Sequence, residues 1–270
     1  YVAGKVTFKV KVNEFTDWTG KEFEKITPVM KAASTSESDA DDLPLDSNAG
    51  IFAEPLMDID YALFTPNMRT VSPQQILDCG TTDGKGCTGG TIEGAYAFLK
   101  TLQKNAISPN GGSSIFPTET YPYNGTAVGN CADLNDAGMK HIIVTNVVSI
   151  KKESEISKIL RARGPLATAF NARHRAFRFY DSGMLNIEGC GKTANHAAAI
   201  VGFGTDEKGV KYWKIKNSWG QDWGEGGFFR MKMGDMCGIG RRSVYPDFYA
   251  FSRNVYAAIC LHEFYPKPIP

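Results

Sequence analysis

Helical periodicity in this chain stops at Arg163, and short β-prone runs between glycines take over. The break at Gly164-Pro165 is where a helix from Glu153 must end, because proline cannot continue it and glycine readily caps it. Beyond it, residues 166–170, 196–203, 211–217 and 227–233 read as strands separated by Gly-rich turns. Before it, Thr91–Lys104 carries an apolar stripe of Ile92, Ala95, Phe98, Leu99 and Leu102 at helical spacing. A shorter helix is predicted from Ser72 to Leu77, with Ser72 as N-cap and Pro73 at the first helical position. Residues 49–64 read as a buried helix that Pro55 starts or kinks. Helices in the first part and antiparallel strands in the second make an α+β fold with two lobes.

The N-terminal region has its own pattern. Val6, Phe8, Val10 and Val12 alternate onto one face of a predicted strand over residues 5–16. A short helix is expected from Thr19 to Ile26, with Thr19 as N-cap. Residues 31–48 are polar, acidic and broken by proline, which reads as a linker.

Composition narrows the function classes. With 42% apolar and 22% charged residues and a net charge of +1, the chain has no electrostatic signature of a nucleic-acid partner. No apolar run is long enough for a membrane span. The six cysteines include no C-x-x-C pair, so neither a zinc site nor any other metal or cofactor is expected. Their scatter fits disulfides in an oxidising compartment. Asn124-Gly125-Thr126 is a glycosylation sequon and points to the same route, lysosomal or extracellular.

Four segments carry the chemistry. Val71-Ser72-Pro73-Gln74-Gln75-Ile76-Leu77-Asp78-Cys79 precedes Gly86-Cys87-Thr88-Gly89-Gly90. A histidine run follows, Asn195-His196-Ala197-Ala198-Ala199-Ile200-Val201-Gly202-Phe203-Gly204. An asparagine run comes next, Tyr212-Trp213-Lys214-Ile215-Lys216-Asn217-Ser218-Trp219-Gly220, with Trp223 to Phe228 behind it. The fourth is Asn13-Glu14-Phe15-Thr16-Asp17, near the start. In this order they resemble the papain-like, cathepsin L-type cysteine proteases, the last segment resembling the end of their inhibitory prosegment.

The resemblance implies a two-lobed fold with a helical left lobe, an antiparallel β-barrel right lobe and a peptide-binding cleft between them. Residues 1–30 would be a partial prosegment, 49–140 the left lobe, 141–248 the right lobe and 249–270 a tail. A monomer acting on a peptide or protein is expected. His196 and Asn217 match the histidine and asparagine of a Cys–His–Asn constellation, in which a thiolate attacks the carbonyl and the imidazole moves the proton. Gly89, Gly90, Asn195 and Trp219 would line the peptide site. Trp219 would also shield the His–Asn bond from water. The implied disulfides are Cys79–Cys131 and Cys190–Cys237, with Cys87 unpaired or joined to Cys260.

One part of the family pattern is missing. No cysteine precedes Cys79, and the run that supplies the nucleophile and an oxyanion-hole glutamine is absent. The closest register places Ala49 at the nucleophile position, within the roughly 130–150 residues expected between cysteine and histidine. A serine nucleophile at Ser47 would need that register to slip. The disulfide partner of Cys87 is lost with the same block, a pattern of segment loss rather than point-by-point decay. The chain as written is therefore expected to be inactive. A pseudoprotease that binds peptides or regulates is the alternative reading.

Overall fold

The structure is a computed structural model, and it describes residues 7–22, 72–80, 90–106, 116, 118–124 and 141–251. The expected helix at 49–64, the linker, Ala49, Gly89, Cys87, Cys131 and Cys260 lie outside these residues.

Two helices come from the first half. Helix α1 (Pro73–Cys79) is capped by Ser72, whose Oγ accepts the Gln75 N–H and donates to the Tyr121 carbonyl at 2.6 Å. Such a cap satisfies one of the N–H groups that a helix start leaves without a partner. Inside α1, Gln74 and Tyr121 both donate to the buried Asp78 carboxylate, the latter at 2.7 Å. Helix α2 (Ile92–Ala106) starts at Thr91, whose Oγ1 accepts the Gly94 N–H at 2.9 Å. Its Ile92, Tyr96, Phe98 and Leu99 bury together with Ile76 against Ala167, Ala169, Ala197 and Val244. Small residues on the sheet let the helix approach closely, which seats the helical half on the strands.

The strands are β1 (Phe8–Val10), β2 (His141–Ile150), β3 (Leu166–Phe170), β4 (Tyr180–Leu185), β5 (His196–Thr205), β6 (Lys211–Lys216), β7 (Phe228–Lys232) and β8 (Arg242–Phe251). They form one eight-stranded sheet in the order β1-β4-β7-β6-β5-β3-β8-β2. All neighbours run antiparallel except β4 with β7. The long passage through β5 and β6 returns the chain beside β4 in the same direction, which no hairpin could do. Helix α3 (Glu153–Arg163) has acidic residues in its first turn, basic ones in its last, and ends at Gly164 with φ 93°. That charge order complements the helix dipole. A short helix, α4 (Arg175–Arg178), joins β3 to β4.

The main core lies on one face of the sheet, where Phe170, Phe177, Tyr180, Trp223 and Phe229 form an aromatic cluster around Ile200, Ile215 and Met231. Alternation sorts β6 cleanly: Trp213 and Ile215 are buried while Lys214 is exposed.

Three expectations change. The N-terminal strand covers only Phe8–Val10, and Val10 and Val12 are 55% and 82% exposed. The register breaks after Lys9, and the chain then turns on Asn13, whose Oδ1 accepts the Phe15 N–H and whose Nδ2 donates to the Arg178 carbonyl. Pairing with β4 depends on Gly183, where φ is +94° and a Cβ would lie 2.5 Å from the Thr7 carbonyl oxygen. The second change is β2 and β8, which the sequence reading left out, and β4 with them. Pro246 argues against a strand at β8. It lies past the stretch of β8 that pairs with β3, so among the described strands it has β2 alone as neighbour there, and the missing N–H is tolerated. Third, β8 runs on to Phe251, into the segment read as a tail.

Candidate active site

His196 is the first residue of β5, and Asn217 follows the last residue of β6. The two strands are neighbours, so their equivalent ends bring the side chains together. His196 Nε2 and Asn217 Oδ1 are 2.7 Å apart. Oδ1 also accepts the N–H of Ser218 at 3.0 Å, which fixes that atom as the oxygen. Nε2 must then carry the proton, leaving Nδ1 as the basic ring nitrogen. Asn217 is held by its own N–H, which donates to the Gly227 carbonyl at 2.9 Å.

Aromatic rings enclose the pair. The Trp219 indole lies against the imidazole with centroids 4.8 Å apart, and Phe170 meets it edge-on at 5.5 Å. His196 is 0% exposed. Burial lowers its pKa to about 4, and the bond to Asn217 opposes that shift. The imidazole is therefore neutral near pH 7.

Asn195 sits beside His196, yet its side chain is 1% exposed and points inward to Ala172 and Asn171. Packing against the end of β3 takes its polar atoms, so any contact with a peptide falls to its main chain. Gly90 leads into α2, half-buried. Cys190 and Cys237 form a disulfide with Cα atoms 5.3 Å apart. Cys79 is also disulfide-bonded, to a partner outside the described residues. Asn124 is exposed beside the half-exposed Tyr123, and its main-chain N–H donates to Gln74. Among the described residues, no group of three His, Cys, Asp or Glu could hold a metal ion, and no helix is long and apolar enough to cross a membrane.

The sequence reading missed how the N-terminal segment reaches this site. Phe15 is buried and meets Trp219 edge-on at 5.7 Å. The guanidinium of Arg178, itself buried, donates to the carbonyls of Phe15, Thr16 and Trp18. Phe15 stands in the Asn13–Asp17 motif. Arg178 had no such signal, because an arginine that pairs with carbonyls of a distant segment looks in sequence like any surface cation.

Known proteins resemble this chain in sequence and in fold. Residues 56–247 match the model of the papain family cysteine proteases. The chain is 34% identical over 194 residues to cysteine proteinase EP-B 1 of Hordeum vulgare, covering 68% of this chain and 49% of that one. It is 31% identical over 279 residues to digestive cysteine proteinase 3 of Homarus americanus, covering 90% and 81%. The chain spans about half the length of several curated relatives it matches. Among solved structures, the ragweed pollen cysteine protease Amb a 11 in its proform superposes with a TM-score of 0.68 at 26% identity, over 88% of this chain and 80% of that one.

Proposed function

Because the chain belongs to the papain family of cysteine proteases, we propose that it descends from a zymogen hydrolysing peptide bonds by Cys–His–Asn chemistry and that, as written, it does not turn over. The observation that carries this reading is a His196–Asn217 pair under Trp219 in a chain with no cysteine before Cys79. The pair supplies the acid–base half of the reaction. Nδ1 would take a thiol proton and later pass it to the leaving amine, while Asn217 holds the ring plane. With Ala49 at the nucleophile position and no oxyanion glutamine, the covalent half is missing.

Residues 1–30 are read as a partial prosegment, and the packing of Phe15 on Trp219 supports that. The disulfides and the kinds of relatives it matches support a lysosomal or extracellular location. The second reading, a peptide-binding or regulatory pseudoprotease, is motivated by the missing nucleophile, whereas retention of the His196–Asn217 pair favours the proteolytic lineage.

Three measurements separate these readings: hydrolysis of a fluorogenic peptide, covalent labelling by a thiol-directed epoxide, and peptide mapping across residues 27–69. No turnover, no label and peptides that read straight through Lys31 to Phe64 are expected, and peptide binding then decides for the pseudoprotease. Turnover with a labelled cysteine between Lys31 and Phe52 would refute the inactive reading.

A further inference from the structure

His196 occupies a precarious place in the sheet. It pairs with Phe170 at the last main-chain rung between β3 and β5, so regular ladder supports it on one side only. Strand ends fray unless something continues the pairing. Here a buried side-chain pair does so. Asn195 donates its N–H to the Phe170 carbonyl at 3.0 Å. Its Oδ1 accepts the Ala172 N–H at 2.8 Å, and its Nδ2 donates to Asn171 Oδ1 at 3.3 Å.

Asn171 is fixed from the other side. Its N–H donates to the Cys237 carbonyl at 2.8 Å, within the Cys190–Cys237 disulfide. Its Oδ1 also accepts the Arg173 N–H at 3.0 Å. A Cβ at Gly191 would come within 3.1 Å of its Nδ2, so the loop after Cys190 closes directly over it. Two amides in a dry position are costly unless each is satisfied, whereas apolar residues would pack there at no such cost.

We propose that Asn171 is a positioning residue for His196: through Asn195 it extends the β3–β5 ladder beyond its last rung, and so fixes the imidazole that bonds to Asn217. The proposal rests on reading His196 as the acid–base group. The disulfide loop is the fixed point, Asn171 the link and Asn195 the arm beside the ring.

The test uses the full chain, labelled with ¹⁵N, and reads the ring nitrogens of His196 together with amide exchange. The native ring should show one tautomer, with the proton on Nε2. Asn171→Ala should bring the Nδ1–H tautomer to roughly a tenth of the population. It should also speed exchange of the Asn195 and Ala172 amides by about 5–10-fold, as expected for one lost hydrogen bond. Asn171→Asp keeps the Oδ1 acceptor and should restore the native ring signal. An unchanged ring in Asn171→Ala would overturn the proposal. So would an equal disturbance in Asn171→Asp, or exchange that speeds up just as much at the far end of the β2–β8 pair, where Val144 meets Phe248. Should Asn171→Ala fail to fold, Asn195→Asp serves instead. It keeps an acceptor for Ala172 and loses the donor to Asn171, so a shifted tautomer supports the link and an unshifted one refutes it. Peptide hydrolysis is not read here, so its absence bears on the function proposed above and leaves this test intact.

Discussion

Phe15 meets Trp219 edge-on with ring centroids 5.7 Å apart, and Trp219 in turn lies 4.8 Å from the His196 ring. A residue of the N-terminal segment thus forms the outer layer of the aromatic cover over the histidine. Phe15→Ala removes a buried ring. It should cost about 3 kcal/mol of unfolding free energy, read as a lower urea midpoint. The Trp219 indole should become accessible to a fluorescence quencher in the same variant.

Acid should destabilise the fold through His196. Its pKa of about 4 in the folded chain lies below its unfolded value near 6.5. Between these values the unfolded chain binds the extra proton, so stability is complete above the unfolded pKa and is lost as pH falls through the folded one. The loss approaches roughly 3 kcal/mol. Urea titrations at several pH values check this, and His196→Phe should flatten that part of the profile.

Asn217→Ala should lower the His196 pKa further, because the bond to Asn217 is the influence that raises it. The buried Nε2–H would lose its acceptor, at a cost of about 1–3 kcal/mol. NMR titration of the ring reads the first effect and chemical denaturation the second.

How much of this could be read from the residues alone depended on whether the signal was local. Helix α3 was legible to its bounds, because Gly164-Pro165 ends it and its charges follow the dipole. Helix α1 was legible from Ser72-Pro73. Strand β8 was hidden by Pro246, whose tolerance depends on which side of the strand has a neighbour, a fact of topology. His196 and Asn217 were recognisable by their motifs. The inward turn of Asn195 was not, since its partners Asn171 and Ala172 become neighbours only when β3 pairs with β5.

Arg178→Met should loosen the N-terminal segment. The guanidinium holds the carbonyls of Phe15, Thr16 and Trp18, and a methionine of similar length offers them no donor. A loss of about 1–3 kcal/mol is expected. Hydrogen exchange at Thr16 and Trp18 should quicken, with little change in β2 and β8.

Loss of the Cys190–Cys237 crosslink should cost about 4 kcal/mol, from the chain entropy of a loop with a sequence separation of 47. The double serine variant, compared with the native chain in guanidinium, measures it. Because Asn171 takes its main-chain support from Cys237, the same variant should also quicken exchange at Asn171.

Among the described residues, strand β1 is the last strand of the sheet at one margin, bonded to β4 alone. Any cut that freed the N-terminal residues would strip that margin and lay bare the main-chain groups of β4, beside a Gly183 that offers no side chain to fend off a newcomer. A bare strand of this kind recruits whatever extended chain is at hand. The segment that covers His196 therefore also covers the edge of β4.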